Sequence, residues 1–245
     1  MIIGINGRIG SGKDTIGDII QKICITNEGP DFEIKKFAGK LKQTASLLTS
    51  VPIEKWEDQE FKKQEMPSEW WYKNVYDAGW DKKWTKESLD YPTHTSTESH
   101  IVKTTYRQFL QNLGTEAMRD GLHTNVWVNA LFADYVPTHY LIGAFDKNLT
   151  DGIPVYPNWI ITDMRFPNEM EAVKERNGIT IRVVRPQTIV LDGAKYTMGI
   201  DPITPLHPSE TALDDATFDY EIINDGEIVD LIEKVKEILI KEKII

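Results

Sequence analysis

Directly behind the short apolar run Met1 to Asn6 stand Gly7, Arg8, Ile9, Gly10, Ser11, Gly12, Lys13, Asp14 and Thr15. Glycines at 7, 10 and 12 open backbone conformations closed to other residues, so successive amide N–H groups can converge on one anion. Lys13 adds a compact positive charge, and the residues after it read as a helix whose first amides and dipole favour the same anion. A β-branched strand, a glycine turn and a helix are the context that a G-x-x-x-x-G-K pattern requires, and its chemistry is the cradling of phosphates. The position after the lysine, where a hydroxyl usually meets magnesium, is Asp14, with Thr15 behind it. Asp14 either approaches magnesium through water or caps the helix, whereas Thr15 can still reach a phosphate. The competing reading is a strand-turn-helix that binds nothing.

A second constellation lies on a helix opened by the capping box Thr105-x-x-Gln108 and running to about Asp120. Tyr106, Phe109, Leu110 and Leu113 form its apolar stripe. Arg107, Gln111 and Gly114 fall at i, i+4 and i+7 on another side, with Thr115 beside them. A guanidinium, an amide and open backbone suit an anionic ligand; an ordinary solvated face is the alternative. Asn158 to Asp163 is a buried strand ending in an acid, followed by Met164, Arg165 and a helix with Glu169 in its first turn. Lys40 and Lys42 stand early in a helix, where they oppose its dipole. They face either solvent or a substrate phosphate. Trp127, on a helix from Asn125 to Tyr135, reads as core more readily than as a base platform.

These residues need a scaffold, and composition allows one. A chain of 245 residues, 40% hydrophobic and 27% charged, can bury a full core as one α/β domain with an insertion. A net charge of −10 and a pI of about 5.1 argue against nucleic acid as a partner, so affinity for phosphate must come from a few local cations. The lone Cys24 shares a helical stripe with Ile16, Ile19, Ile20 and Ile23 and reads as core in a reducing cytoplasm. Neither a membrane span nor a leader is expected.

In chain order the pattern gives a helix over 14–24, a strand over 32–37, a helix over 38–50, then strands over 158–163, 179–184 and 219–223 and a last helix ending near Ile240. Gly178 is expected to stop the helix after Asp163. Residues 186–217, including His207, Ser209 and Glu210, read as irregular. Strands alternating with helices predict a parallel sheet of about five strands with helices on both faces. Residues 51–103 break the pattern and carry Trp56, Trp70, Trp71, Trp80 and Trp84. They read as an inserted lid or substrate-binding segment between core portions 1–50 and 104–245. His94, Glu98 and His100 read as solvated loop rather than metal ligands.

The Gly-x-Gly-Lys-x-Thr ending of the loop is similar to that of P-loop small-molecule and nucleotide kinases. The ordered series resembles more closely the deoxynucleoside monophosphate kinases of tailed bacteriophages. It comprises Gly10 to Thr15, Phe37 to Lys42, Arg107 to Thr115, Trp127, Asp163-x-Arg165 with Glu169, Val183 to Pro186, His207-x-Ser-Glu210 and Ile223 to Gly226. Where a family member has a basic residue inside the loop, this chain has Ile9 and Gly10 and offers Arg8 instead.

The resemblance implies a P-loop kinase fold and transfer of the γ-phosphoryl of ATP to a 2′-deoxynucleoside 5′-monophosphate with Mg²⁺, in the cytoplasm of a phage host. It implies Lys13, Asp163 and Arg165 as catalytic residues. ATP would be bound by Gly10, Ser11, Gly12, Lys13, Asp14, Thr15, Asn224 and Gly226. The monophosphate would be bound by Lys42, Arg107, Gln111, Gly114, Thr115, Trp127 and Glu169. Magnesium would be held by Asp163, directly or through water, and by Asp14. Small nucleotides are the expected partners, with neither nucleic acid nor membrane, and a homodimer is the assembly to test. Two rivals stay open: a P-loop kinase of another acceptor, of the phosphomevalonate or dephospho-coenzyme A type, and a non-catalytic nucleotide-binding module.

Overall fold

The computed structural model describes residues 1–76, 98–140, 153–191, 194–198 and 211–245. Trp80, Trp84, His94, His207, Ser209 and Glu210 lie outside them. In order the elements are β1 (Ile2–Gly7), α1 (Lys13–Thr26), β2 (Phe32–Lys35), α2 (Phe37–Thr49), α3 (Gln59–Lys63), β3 (Tyr72–Tyr76), β4 (Glu98–Val102) and α4 (Tyr106–Gln111). They continue as α5 (Val126–Phe132), β5 (Thr138–Tyr140), β6 (Ile153–Val155), β7 (Asn158–Ile161), α6 (Pro167–Lys174), β8 (Ile179–Val184), β9 (Gln187–Leu191), β10 (Ala194–Met198), β11 (Tyr220–Ile223) and α7 (Ile228–Lys241). The chain divides into two compact units, one of Met1–Leu41 with His123–Ile245, the other Lys42–Leu122.

The first unit is built on a five-stranded sheet of order β11-β8-β1-β7-β2, in which every pairing is parallel. Its central strands are apolar on both faces because both are covered. Ile3, Ile5, Ile160, Ile181, Val183 and Ile222 pack with Ile16, Ile20 and Cys24 of α1 and Leu231, Val235 and Leu239 of α7. The alternate residues Ile2, Trp159 and Ile161 pack instead with Val128 and Leu131 of α5 and Met170 and Val173 of α6. Cys24 is core, as its stripe predicts.

Three local readings change. Helix α6 is stopped by Asn177, which takes the left-handed conformation at φ 53°. Gly178 follows it, donating its N–H to the Val173 carbonyl at 2.9 Å, and a Cβ there would meet Ile2 O at 3.0 Å. The pair forms a Schellman stop in which asparagine supplies the turn and glycine the close approach. Residues 187–191 and 194–198, expected to be irregular, form the antiparallel pair β9–β10, with Thr197 opposite Thr188. The helix after Thr105 is α only to Gln111 and continues as a π-helix over Asn112–Asp120. Gly114 and Thr115, both poor α-formers, sit where the ladder widens.

The second unit has an aromatic core. Trp56 is 0% exposed and packs on Phe61, Tyr106 and Phe109 at ring-centroid distances of 6.2, 5.6 and 6.0 Å. Trp70 meets Phe109 edge-on at 5.2 Å, and Trp71 Nε1 donates to Met66 O at 2.8 Å. Strands β3 and β4 pair antiparallel, Asn74 opposite His100.

Candidate active site

Strand β1 is central, with β7 and β2 on one side and β8 and β11 on the other, so the strand order switches side there and a ligand crevice belongs at its carboxyl end. The glycine loop occupies that end. Gly10 and Gly12 have φ of 78° and 98°, a region that side chains resist. Ser11 N donates to Arg8 O at 3.1 Å to close the turn. No side chain caps α1, which leaves its opening amides to the loop concavity. From the end of β11, Asn224 Nδ2 donates to Ser11 O at 2.8 Å, and a Cβ on Gly12 would lie 2.6 Å from that nitrogen. Asn224 therefore props the loop from below and requires glycine at 12. Gly226 lies in the turn that leads into α7.

Lys13 is 8% exposed, and its Nζ reaches Arg8 O at 3.5 Å. Asp14 Oδ1 accepts from Thr162 Oγ1 at 2.8 Å and pairs with Lys36 Nζ at 3.0 Å. Partial burial alone would raise the Asp14 carboxyl, but the hydrogen bonds from Lys36 and Thr162, with the charges of Lys36 and Lys13, outweigh it and hold the group below the usual carboxylate range. Thr15 follows on the exposed side of α1.

Asp163 is almost buried, and its two oxygens accept from the first amides of α2, Phe37 N at 2.7 Å and Ala38 N at 2.9 Å. The acid at the end of β7 thus holds the start of α2. Beyond it the chain turns sharply. Asn6 Nδ2 donates to Met164 O at 2.8 Å, and Glu169 Oε2 accepts from Arg165 N at 2.7 Å and Phe166 N at 3.1 Å. Glu169, placed by the sequence reading in the nucleoside pocket, is 2% exposed and fixes the backbone of Arg165. Trp127 is buried on α5.

In the second unit Arg107 Nη2 donates to Gln59 Oε1 at 2.8 Å, and Lys42, also nearly buried, pairs with Glu57 at 2.6 Å. Of the two situations expected for Lys42, free solvent is the one that this burial and pairing replace. Arg107 and exposed Gln111 keep their one-turn relation on α4. Buried Gly114 and half-buried Thr115 fall in the π-helix, which changes the rotation between them and Arg107 from the one expected of an α-helix.

Sequence reasoning missed Lys36, Asn6 and Thr162. The rule that ligands gather at strand carboxyl ends finds Lys36 at once. Arg8 follows β1, Lys36 follows β2, Arg165 lies four residues beyond β7 and Arg185 follows β8, so cations cluster at one edge of the sheet in a chain of net charge −10. Arg185 Nη1 lies 3.4 Å from Gly10 O. Such an edge suits polyphosphates.

The sequence profile of the deoxynucleotide monophosphate kinase family matches residues 75–235. The chain belongs to that family. It is also 24% identical, over 246 aligned positions covering 91% of this chain and 89% of the relative, to the deoxynucleoside-5′-monophosphate kinase of Escherichia phage T5. As a deoxynucleotide monophosphate kinase the protein is a phosphotransferase that takes the γ-phosphoryl of ATP to a deoxynucleoside monophosphate. Neither the phosphomevalonate or dephospho-coenzyme A reading nor that of a non-catalytic module fits membership of this family.

Proposed function

We propose that the glycine loop, Lys13 and Thr15 bind the triphosphate of ATP, that Asn224 and Gly226 border its nucleoside, and that Arg107, Gln111, Gly114 and Thr115 bind the deoxynucleoside monophosphate, with Trp127 contacting its base. The observation that carries the donor assignment is the left-handed pair Gly10 and Gly12 leading into an uncapped α1 beside Lys13.

Phosphoryl transfer needs alignment of two phosphates and neutralisation of charge spreading over the transferring group's oxygens, with little covalent chemistry from the protein. The acceptor is itself an anionic phosphate, so no side chain must be activated as a nucleophile. Lys13 leaves the Arg8 carbonyl for the β- and γ-phosphate oxygens. Arg165, its backbone fixed by Glu169, neutralises the transferring group. Glu169 acts through Arg165, and Lys42, paired with Glu57 at rest, contributes to binding the monophosphate.

Mg²⁺ takes one or two carboxylates with substrate phosphates and water. Asp14 fits that need because Lys36 and Thr162 keep it ionised. Asp163 fits through water, its carboxylate being engaged by amides that leave further lone pairs. When bound, the ion supplies charge neutralisation across the donor phosphates. Among the described residues no helix is long and apolar enough to cross a membrane. The host cytoplasm, where free nucleotides are found, is the proposed place of action.

ADP release measured across all deoxy- and ribonucleoside monophosphates tests the assignment, with Lys13→Ala beside wild type. Wild type should turn over one or more deoxynucleotides, and Lys13→Ala should lose on the order of 10²–10³-fold in kcat while remaining folded. Near-normal turnover in folded Lys13→Ala would remove the loop from the mechanism.

A further inference from the structure

Arg8 carries a side-chain contact that phosphate binding by the loop does not require. Its Nη2 pairs with Asp214 Oδ2 at 2.8 Å, while the other oxygen of Asp214 pairs with Arg182 Nη2 at 3.0 Å. Arg182 lies on β8, directly opposite Asn6 of β1, and its Nη1 also donates to the carbonyls of Leu213 and Asp214, at 3.2 and 2.8 Å. Leu213 is anchored in the core. One carboxylate therefore joins the first residue of the loop to the sheet, and it stands on a segment that the sheet holds independently through Arg182.

The backbone of Arg8 matters as much as its side chain. Its carbonyl accepts both from Ser11 N, which closes the turn, and from Lys13 Nζ. Whatever fixes Arg8 thus fixes the acceptor on which Lys13 rests and the amide turn around the anion. A planar guanidinium gripped by a carboxylate is a directional restraint that an ammonium cannot copy. Two cations share one carboxylate, so the cluster retains a positive charge beside the loop, of the sign a polyphosphate needs.

Resting on the assignment of the loop to ATP, we propose that Asp214 is a positioning residue for the donor: through Arg8 it holds the phosphate loop and Lys13 in the geometry that receives the triphosphate. Neutralising it frees Arg8 while leaving the Arg182 contacts to the backbone of its own segment in place. The effect should fall on ATP and spare the acceptor.

The test compares wild type with Asp214→Asn, Arg8→Met, Arg8→Lys, the double variant Arg8→Met with Asp214→Asn, and the exposed neighbour Asp215→Asn as control. KM for ATP, KM for the deoxynucleotide, kcat, melting temperature and binding of N-methylanthraniloyl-ATP are measured for each. Asp214→Asn should raise the KM for ATP and weaken analogue binding by roughly 10-fold, the lower range for a charged hydrogen bond, with the deoxynucleotide KM within about twofold of wild type. Arg8→Lys should recover part of the loss of Arg8→Met, the double variant should be no worse than Arg8→Met, and Asp215→Asn should match wild type. Unchanged ATP binding in Asp214→Asn, equal losses for both substrates with a lowered melting temperature, or additive single effects would each overturn the proposal. Wild type without acceptor-dependent ADP formation would refute the kinase assignment instead, and analogue binding would still decide the role of Asp214.

Discussion

Asp163 accepts the amide of Phe37 across 126 residues of sequence, at 2.7 Å, and so an acid at the end of one parallel strand caps the helix that follows another. Its second oxygen takes the next amide, of Ala38. Both donors are among those that a helix start leaves without intrahelical partners.

Asp163→Asn should therefore cost stability as well as activity. An amide offers one oxygen and turns its NH₂ toward an N–H donor, so one of the two bonds is lost, at about 1–3 kcal/mol. The expected result is a lowered melting temperature together with a reduced kcat. A normal melt with reduced kcat would mean that the capping contributes nothing and only the proposed magnesium role counts.

Arg107→Ala should raise the KM for the deoxynucleotide well above any change in the KM for ATP. The loss expected in kcat/KM is about 10- to 150-fold, the scale of a charge-assisted hydrogen bond, with Arg107→Lys intermediate because the planar fork is gone. Gln59→Ala, which removes only the resting partner of Arg107, should shift both constants little. Steady-state kinetics with each substrate varied would expose Arg107 as structural if both KM values rose together.

Trp56→Ala should destabilise the second unit by about 3–5 kcal/mol, the usual range for an aromatic core truncation. Limited proteolysis within 42–122 should accelerate far more than within the sheet unit. Equal protection of both would show that the aromatic cluster around Trp56 does not hold the unit together.

Acid should reveal Asp14. Its folded pKa lies below the ordinary 3.8, so its contribution is complete above about pH 3.8 and is lost as pH falls through the folded value. Thermal melts from about pH 6 to pH 3 should show wild type losing stability relative to Asp14→Asn on the acid side, with Lys36→Met flattening the difference. Half-exposure makes the effect small. Parallel melts for wild type and Asp14→Asn over that range would show no preferential stabilisation of the Asp14 carboxylate.

The sheet was legible because its strands are short runs that are either apolar, as in β1 and β7, or alternating, as in β2, and the loop because its glycine spacing has one common purpose. What escaped was mostly distant. Asp163 caps α2 from far away in sequence, whereas capping rules look within one turn. Trp56 joins Tyr106 and Phe109 only in three dimensions, so a tryptophan in a charged stretch read as part of an irregular segment. The β9–β10 pair was readable, since Asp192-Gly193 between alternating residues is a hairpin signal. The π-helix changes rotation without changing residue type, so spacing rules built on 3.6 residues per turn could not foresee it.

The position of β1 also bears on how the chain comes to life on a ribosome. Its two partners begin at Asn158 and Ile179, so β1 is made long before either strand that pairs with it. At about 5–20 residues per second, Met1 to Asn6 waits roughly 8–30 s for its first neighbour. During that interval an apolar strand and a glycine loop are exposed with no sheet to receive them. Until residues 158–161 emerge, β1 is therefore open to wrong partners, and slow translation of 42–157 would lengthen that exposure.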